Sequence, residues 1–260
     1  MDEVNKTIID ELISAGKQQL AAPLRPFDFE TGDPEAERLI NDLNGHPHMF
    51  VLACVMDKQV RAGRAWIIPY IVGRELGGWN FATFRDADEA TISEIFNRLK
   101  LHRFNNVMAK SFSSAVHDIE AKYGGDASKV WSDPQCPKSA LVIRRLLEFR
   151  GVGVKIATMI TNILVRDFKI PMSECSSIDI SPDVQVKKFF IANHLLREGA
   201  SNEELIYRAR ELSPEYPGLL DLAAWEGGRI LPRRQRAGNT QEVHRTHNVT
   251  EMAERDSRTE

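Results

Sequence analysis

Apolar residues in this chain recur at every third or fourth position, which is the spacing of one face of an α-helix. The segments SALVIRRLLEF, residues 139–149, and VKIATMITNILVRDF, residues 154–168, both show this spacing. Strands that face a core on one side need apolar residues at every second position, and such segments are scarce. The sequence therefore predicts an all-α fold.

Composition indicates a folded globular chain. It has 260 residues, of which 42% are hydrophobic and 27% charged, enough for one large domain or two small ones. Its three cysteines, Cys54, Cys136 and Cys175, lack CxxC spacing and are too few for a disulfide framework or a four-cysteine metal site. No apolar run approaches the ~20 residues of a membrane helix, and the first residues carry acids where a signal peptide needs bases. We expect a cytoplasmic protein without a membrane segment.

Charge is distributed unevenly along the sequence. The formal net charge of −3 argues, as an average, against a nucleic-acid-binding surface. Residues 1–43, however, hold 4 basic and 10 acidic residues, whereas residues 98–110 hold 4 basic and no acidic ones, and residues 138–170 hold 7 basic and 2 acidic ones. Such segregation can place a basic face on an acidic protein, although unrelated solvated helix faces explain it equally well.

A glycine turn separates the two helical segments named first. In Gly151-Val152-Gly153 the glycines allow close backbone approach to a phosphate, and the first turn of the next helix adds unpaired N–H groups and partial positive charge. A tight turn without any ligand is the alternative. Lys155 follows at this helix start, where the helix dipole, apolar neighbours and Arg150 favour a neutral, nucleophilic amine. A surface lysine that lays its stem over the helix end is the alternative.

These residues resemble a known motif. FRGVGVKIA, residues 149–157, resembles the hairpin of the helix-hairpin-helix DNA glycosylases, the endonuclease III superfamily, and puts Lys155 in the position of their Schiff-base lysine. PDVQVKKFF, residues 182–190, is similar to the segment that carries the family's catalytic aspartate, which corresponds to Asp183. The interval of 28 residues between them is longer than is typical of endonuclease III itself, so Asp179 is a rival for this role.

Asp183 also has a purely structural explanation. Ser181, Pro182 and Asp183 are typical of a helix start, with Ser181 as the cap, Pro182 at the first helical position and Asp183 in the first turn. Such an arrangement stabilises a helix without any catalysis. The order of the hairpin, its lysine and then the aspartate favours the catalytic interpretation.

The resemblance extends over residues 45–231 and implies further contacts with DNA. MFVLACVMDKQVRAGRAW, residues 49–66, resembles the helix and loop whose glutamine fills the gap left by an extruded base, which corresponds to Gln59. Arg61 and Arg64 lie beside it and would touch the orphaned partner base. Residues 150–153 would bind a phosphate, and the resemblance implies a monovalent cation at this hairpin.

The function implied is base excision from double-stranded DNA that contains a damaged, mismatched or modified base. Lys155 would form a Schiff base with the sugar and nick the strand by β-elimination, as an AP lyase does, with Asp183 assisting. A monofunctional glycosylase that uses water activated by Asp183 is one alternative. A helix-hairpin-helix DNA-binding module without catalysis is another, and an all-helical protein-interaction domain is a third.

The resemblance also implies an architecture of two helical lobes that flank a cleft. Residues 1–43 and 172–231 would form the lobe with Asp183, residues 44–171 the lobe with the hairpin and Lys155, and residues 232–260 a disordered tail. No cysteine follows Cys175, so the four-cysteine iron–sulfur motif of many relatives has no counterpart, and we expect no such cluster. We expect a monomer that is associated with the nucleoid.

Overall fold

The structure, a computed structural model, describes residues 3–231. The predicted tail, residues 232–260, lies outside the described residues. Within them the chain forms fourteen α-helices, and a short 3₁₀ helix, Pro217–Leu220, precedes the last one. No strand occurs in residues 3–231, which confirms the all-α fold class. The helices are Glu3–Ala21 (α1), Pro34–Asn41 (α2), Pro47–Met56 (α3), Ala62–Trp66 (α4), Ile68–Leu76 (α5), Phe81–Arg85 (α6), Glu89–Leu99 (α7), Asn105–Tyr123 (α8), Lys129–Ser132 (α9), Ser139–Leu147 (α10), Val154–Arg166 (α11), Val184–Ala192 (α12), Asn202–Leu212 (α13) and Asp221–Ile230 (α14).

Several helices begin and end at signals that the sequence carries. Asp88 caps α7 by accepting the Thr91 N–H at 2.7 Å, and Ser201 forms a reciprocal capping box with Glu204 at the start of α13. Gly124, in the left-handed region at φ 63°, ends α8. The sequence predicts helices over residues 88–99 and 106–123 and a further helix that starts at Ser201, and the structure confirms all three.

The apolar stretch from residue 49 to residue 76 forms three helices, although its pattern predicts two or a single kinked one. All ten residues of α3 are buried. A turn follows, in which Gln59 is exposed and has a left-handed backbone with φ 55°. Pro69 lies in the first turn of α5, where its missing N–H costs no helical hydrogen bond.

Buried apolar side chains of the described residues form two large clusters and a small one. Helices α2 to α11 build the first cluster, which includes Phe50 and Phe112. Helix α1 and helices α12 to α14 build the second, which includes Val186 and Phe190. A small cluster around Tyr216 lies beside α11. Along the sequence, α1 therefore belongs to the second cluster, α2 to α11 form the first cluster, and α12 to α14 pack with α1 again.

Helix α2 belongs to the first cluster, although the predicted division put residues 1–43 with the second. Leu39 and Ile40 are at most 1% exposed and pack in the core that contains α3, together with Phe29 from the preceding loop. The reason is that the apolar face of α2 packs against α3, a helix whose ten residues are all buried and which needs partners on every side.

Helix α11 connects the two clusters. Its start lies beside the glycine turn, and near its middle Asn162, 1% exposed, donates to the Gly218 carbonyl oxygen at 2.8 Å. The Tyr216 hydroxyl donates to Asn162 Oδ1 at 2.5 Å. After the helix, Lys169 donates to the carbonyls of Gln19 and Leu20 at the end of α1. These contacts join α11 to the 3₁₀ helix before α14 and to the end of α1.

Candidate catalytic site

Lys155 and Asp183 meet in the folded chain although 28 residues separate them. Lys155 lies in the first turn of α11, and its Nζ donates to Asp183 Oδ2 at 3.3 Å. The two side chains are 47% and 27% exposed, so the pair is open to solvent and to a ligand. The Lys155 amine therefore has a carboxylate partner. The argument from the helix dipole and from Arg150 did not take this carboxylate into account.

Asp183 lies at the start of α12, but not in the way that the sequence predicts. It is itself the cap, with an extended backbone at φ −85° and ψ 155°, and its Oδ1 accepts the Gln185 N–H at 2.8 Å. The prediction that Ser181 caps the helix and that Pro182 occupies its first position is wrong. The helix begins at Val184, because the aspartate side chain satisfies the first-turn N–H group. One Asp183 oxygen is thus held by the backbone and the other faces Lys155.

Asp179, the rival aspartate, lies elsewhere. It is 7% exposed and forms a bidentate pair with Arg210, with Nε to Oδ1 at 2.7 Å and the second nitrogen to Oδ2 at 2.8 Å. Such a fork-to-carboxylate pair occupies both oxygens. Asp179 therefore joins the connecting segment to α13, and Asp183 is the carboxylate beside Lys155.

The glycine turn lies between α10 and α11, as predicted. Val152 is 8% exposed and packs into the first cluster, while Arg150 is exposed. Gly151 has φ 91°, a backbone that favours glycine, and an added Cβ would approach Ser111 Oγ to 3.3 Å. An added Cβ on Gly153 would have no neighbour within 4 Å. Because α11 has no side-chain cap, its first N–H groups are available to an anion on this open side.

The turn after α3 carries the other predicted DNA contacts. Gln59 and Arg61 are exposed, and Arg61 precedes α4. Arg64 donates to the carbonyl oxygens of Lys100 and Leu101 at 2.6 and 3.2 Å. Its guanidinium therefore holds the turn after α7, a contact that the sequence did not predict.

Sequence reasoning missed Asp57, which directly follows α3 and lies two residues before Gln59. Burial raises the pKa of the Asp57 carboxyl above its ordinary value; the Lys155 ammonium lowers this pKa and the Asp183 carboxylate raises it. Asp57 is thus within electrostatic reach of both. The sequence feature that could have identified Asp57 is its position directly after the predominantly apolar segment that forms α3.

Comparison with known proteins bears on the fold. No family model matches this sequence, and no curated protein matches it. A solved structure, described as a trapped endonuclease III–DNA covalent intermediate in an estranged-adenine complex, is similar, with a TM-score of 0.50 and 12% identity over 88% of this chain and 85% of that chain. The fold is that of endonuclease III. This agrees with the all-α fold that the resemblance implies.

The endonuclease III fold of this chain compensates part of its basic charge internally. Arg144 pairs with Glu148 at 2.8 Å and Arg166 with Asp167 at 2.7 Å, so both acids of residues 138–170 lie beside an arginine of the same segment. In residues 3–231, no helix combines the length and the apolar character needed to span a membrane.

Proposed function

We propose that this protein is a base-excision DNA glycosylase with AP lyase activity. The observation that carries the proposal is the distance of 3.3 Å between Lys155 Nζ and Asp183 Oδ2, at a solvent-open helix start beside a glycine turn. A nucleophilic amine, a carboxylate that faces it and a backbone anion site are the groups that a Schiff-base reaction on a phosphodiester backbone needs. The endonuclease III fold supports the same class of substrate.

The reaction begins with Lys155 as an amine. Its lone pair forms a bond to C1′ of the deoxyribose while the bond from C1′ to the base breaks, and the electron pair leaves with the base. Opening of the sugar ring at O4′ then gives the imine, and loss of a C2′ proton expels the 3′ phosphate. Asp183 would stabilise the positive charge that develops on the sugar, because its carboxylate lies 3.3 Å from the attacking amine.

The surrounding residues would hold the DNA. Arg150 and the backbone of Gly151, Val152 and Gly153 would bind one phosphate next to the extruded nucleotide. Gln59, exposed on its turn with Arg61, would fill the vacated space in the duplex. Arg64 would act indirectly, by fixing the turn after α7 through its hydrogen bonds to the carbonyl oxygens of Lys100 and Leu101.

The remaining expectations follow from this proposal. The substrate would be double-stranded DNA with a damaged, mismatched or modified base, bound by a nucleoid-associated monomer in the cleft between two lobes. The carbonyl oxygens of the hairpin at residues 150–153 are neutral ligands that suit a monovalent cation, which would add positive charge beside the phosphate. Within the described residues, no group of three or more His, Cys, Asp or Glu side chains could hold a metal ion. No step of the reaction depends on the cation.

Borohydride trapping tests the proposal. Duplexes that carry uracil, thymine glycol, 8-oxoguanine, a mismatch or an abasic site are incubated with the protein, and borohydride reduces any imine to a stable adduct. We expect a covalent adduct with at least one duplex, and its loss in Lys155→Ala. Lys6→Ala, which changes an exposed lysine on α1, is the matched control and keeps the adduct.

The other outcomes decide against this mechanism. Base release without a trapped adduct would mean a monofunctional glycosylase. Binding of duplexes without base release or an adduct would mean a DNA-binding module. An adduct that persists in Lys155→Ala would assign the nucleophile to another amine.

A further inference from the structure

Asn162 lies on the same face of α11 as Lys155. The two residues are seven positions apart, which is nearly two helical turns and places Asn162 about 10 Å further along the helix axis. Asn162 is 1% exposed, so its carboxamide needs hydrogen-bond partners inside the protein. Nothing in the proposed reaction uses this buried amide.

The Asn162 side chain bonds to the 3₁₀ helix Pro217–Leu220 and to the residues on either side of it. Its Oδ1 accepts from the Tyr216 hydroxyl at 2.5 Å. Its Nδ2 donates to the Gly218 carbonyl oxygen at 2.8 Å and to Asp221 Oδ2 at 3.4 Å. Both polar atoms of the amide therefore have partners, and all of these partners lie far along the chain from α11.

Gly218 extends this connection to the segment that leads to Asp183. The Gly218 N–H donates to the Ile178 carbonyl oxygen at 2.7 Å. A Cβ added to this glycine would lie 2.9 Å from Ile178 Cγ2 and 3.2 Å from Asn162 Nδ2, so there is no room for a side chain between them. Residues 178–181 are all buried, and Asp183 follows two positions later. Gly218 is thus packed tightly between the amide and this segment.

Residues 178–181 are also anchored to the helices of the second cluster, since Asp179 pairs with Arg210 of α13. Apolar side chains of α11 and of this segment pack together around Tyr216. Apolar contact is not directional, whereas a hydrogen bond constrains both distance and angle. The Asn162 amide therefore fixes the direction in which the segment passes α11.

We propose that Asn162 is a positioning residue that keeps the Lys155 amine and the Asp183 carboxylate within reach of each other, a role that rests on the proposed function. The predicted phosphate site at residues 150–153 packs with the first cluster, whereas Asp183 begins α12 of the second. Loss of the Asn162 amide therefore shifts the carboxylate relative to the amine, while the predicted DNA contacts keep their places. The chemical step is slowed and the binding of DNA is not.

The rate of adduct formation in single turnover, measured beside the affinity for the same duplex, tests this role. Asn162→Ala should lower the rate about 100-fold, the cost of a displacement of about 1 Å between reacting groups, and leave the dissociation constant unchanged. Tyr216→Phe removes only the hydroxyl that donates to Asn162 and should give a smaller loss of the same kind.

Thr161→Val is the matched control. Thr161 is buried beside Asn162 in the sequence, but its Oγ1 donates within α11, to the Ala157 carbonyl oxygen at 2.8 Å. The variant loses a buried hydrogen bond of the same helix without loosening the contact with residues 178–181. It should keep the wild-type rate of adduct formation, and a loss equal to that of Asn162→Ala would overturn the proposal.

A double-mutant cycle separates positioning from a general loss of stability. In the Asp183→Asn background, Asn162→Ala should cost little further rate, because the carboxylate that it positions is already gone. Equal losses in the two backgrounds would mean that Asn162 acts independently of Asp183, and the proposed function would stand without it. If the wild-type protein forms no adduct on any duplex, the proposed function fails instead.

A measurement that needs no activity tests the geometry itself. Carboxyl-carbon NMR of the full chain follows the Asp183 resonance, which Lys155→Ala should shift because it removes the ammonium 3.3 Å away. Asn162→Ala should shift this resonance in the same direction, and Thr161→Val should leave it in place. Thermal unfolding verifies that each variant is folded, and Tyr216→Phe replaces Asn162→Ala if the latter is not. An Asp183 resonance that keeps its wild-type position would overturn the proposal, whatever the activity.

Discussion

Asp221 gives a stability prediction that does not depend on the proposed function. It is the first residue of α14, is 8% exposed, and accepts a hydrogen bond from Asn162 Nδ2 at 3.4 Å. Burial raises the pKa of this carboxyl from 3.8 to about 6, although Arg166 and Asn162 lower it. The folded protein therefore binds this proton more tightly than the unfolded chain does.

The sign and size of the effect follow from linkage. Because the folded pKa lies above the unfolded one, Asp221 stabilises the fold most when it is protonated, and this contribution falls as the pH rises from about 4 through about 6. The difference between 3.8 and about 6 corresponds to about 3 kcal/mol. Asp221→Asn keeps an oxygen for Asn162 and removes the ionisation. At pH values near 8 it should raise the free energy of unfolding by about 1–3 kcal/mol, the lower end reflecting imperfect amide contacts.

Urea unfolding followed by tryptophan fluorescence measures the difference between the two proteins from about pH 4 to about pH 8. The gain of Asp221→Asn should shrink toward zero at the acidic end. Asp86→Asn is the control, because a hydrogen bond from Arg85 holds the pKa of that exposed carboxyl below its ordinary value, and it should give no gain at high pH. A difference between wild type and Asp221→Asn that is constant across this range would refute the reasoning.

Two further substitutions test packing that supports the site. Gly228→Ala should lower the free energy of unfolding by about 2 kcal/mol and slow any base release, because the new Cβ would lie 2.1 Å from the Gln185 carbonyl oxygen and push the start of α12 outward; a wild-type urea midpoint would contradict this. Arg210→Ala should cost about 2 kcal/mol in the same assay, since it leaves the 7% exposed Asp179 without its donors. Arg38→Ala breaks an exposed ion pair with Glu35 and should lower the free energy of unfolding much less. Equal losses in the two variants would mean that burial of the Asp179 carboxylate is unimportant.

The sequence predicted helices well where a capping residue lies next to a segment with helical spacing of its apolar residues. Asp88 and Gly124 bound the helices that the pattern indicates, because a side-chain cap and a left-handed glycine act on neighbouring residues. The same reasoning failed at Ser181, Pro182 and Asp183, because both the serine and the aspartate are residue types that can cap a helix. A residue before a proline disfavours helical backbone, and Asp183, one residue after the proline, is the cap with an extended backbone.

The sequence by itself determined the all-α class, the turn between α10 and α11 and the position of Lys155 in the first turn of a helix, because each depends on residues within one or two helical turns. The tertiary structure alone decided which carboxylates reach that lysine. Asp179 forms its ion pair with Arg210, whereas Asp183 lies at 3.3 Å from the amine. The physical reason is that helix periodicity encodes which face is buried, whereas the partner that covers it is set by how all the helices pack together.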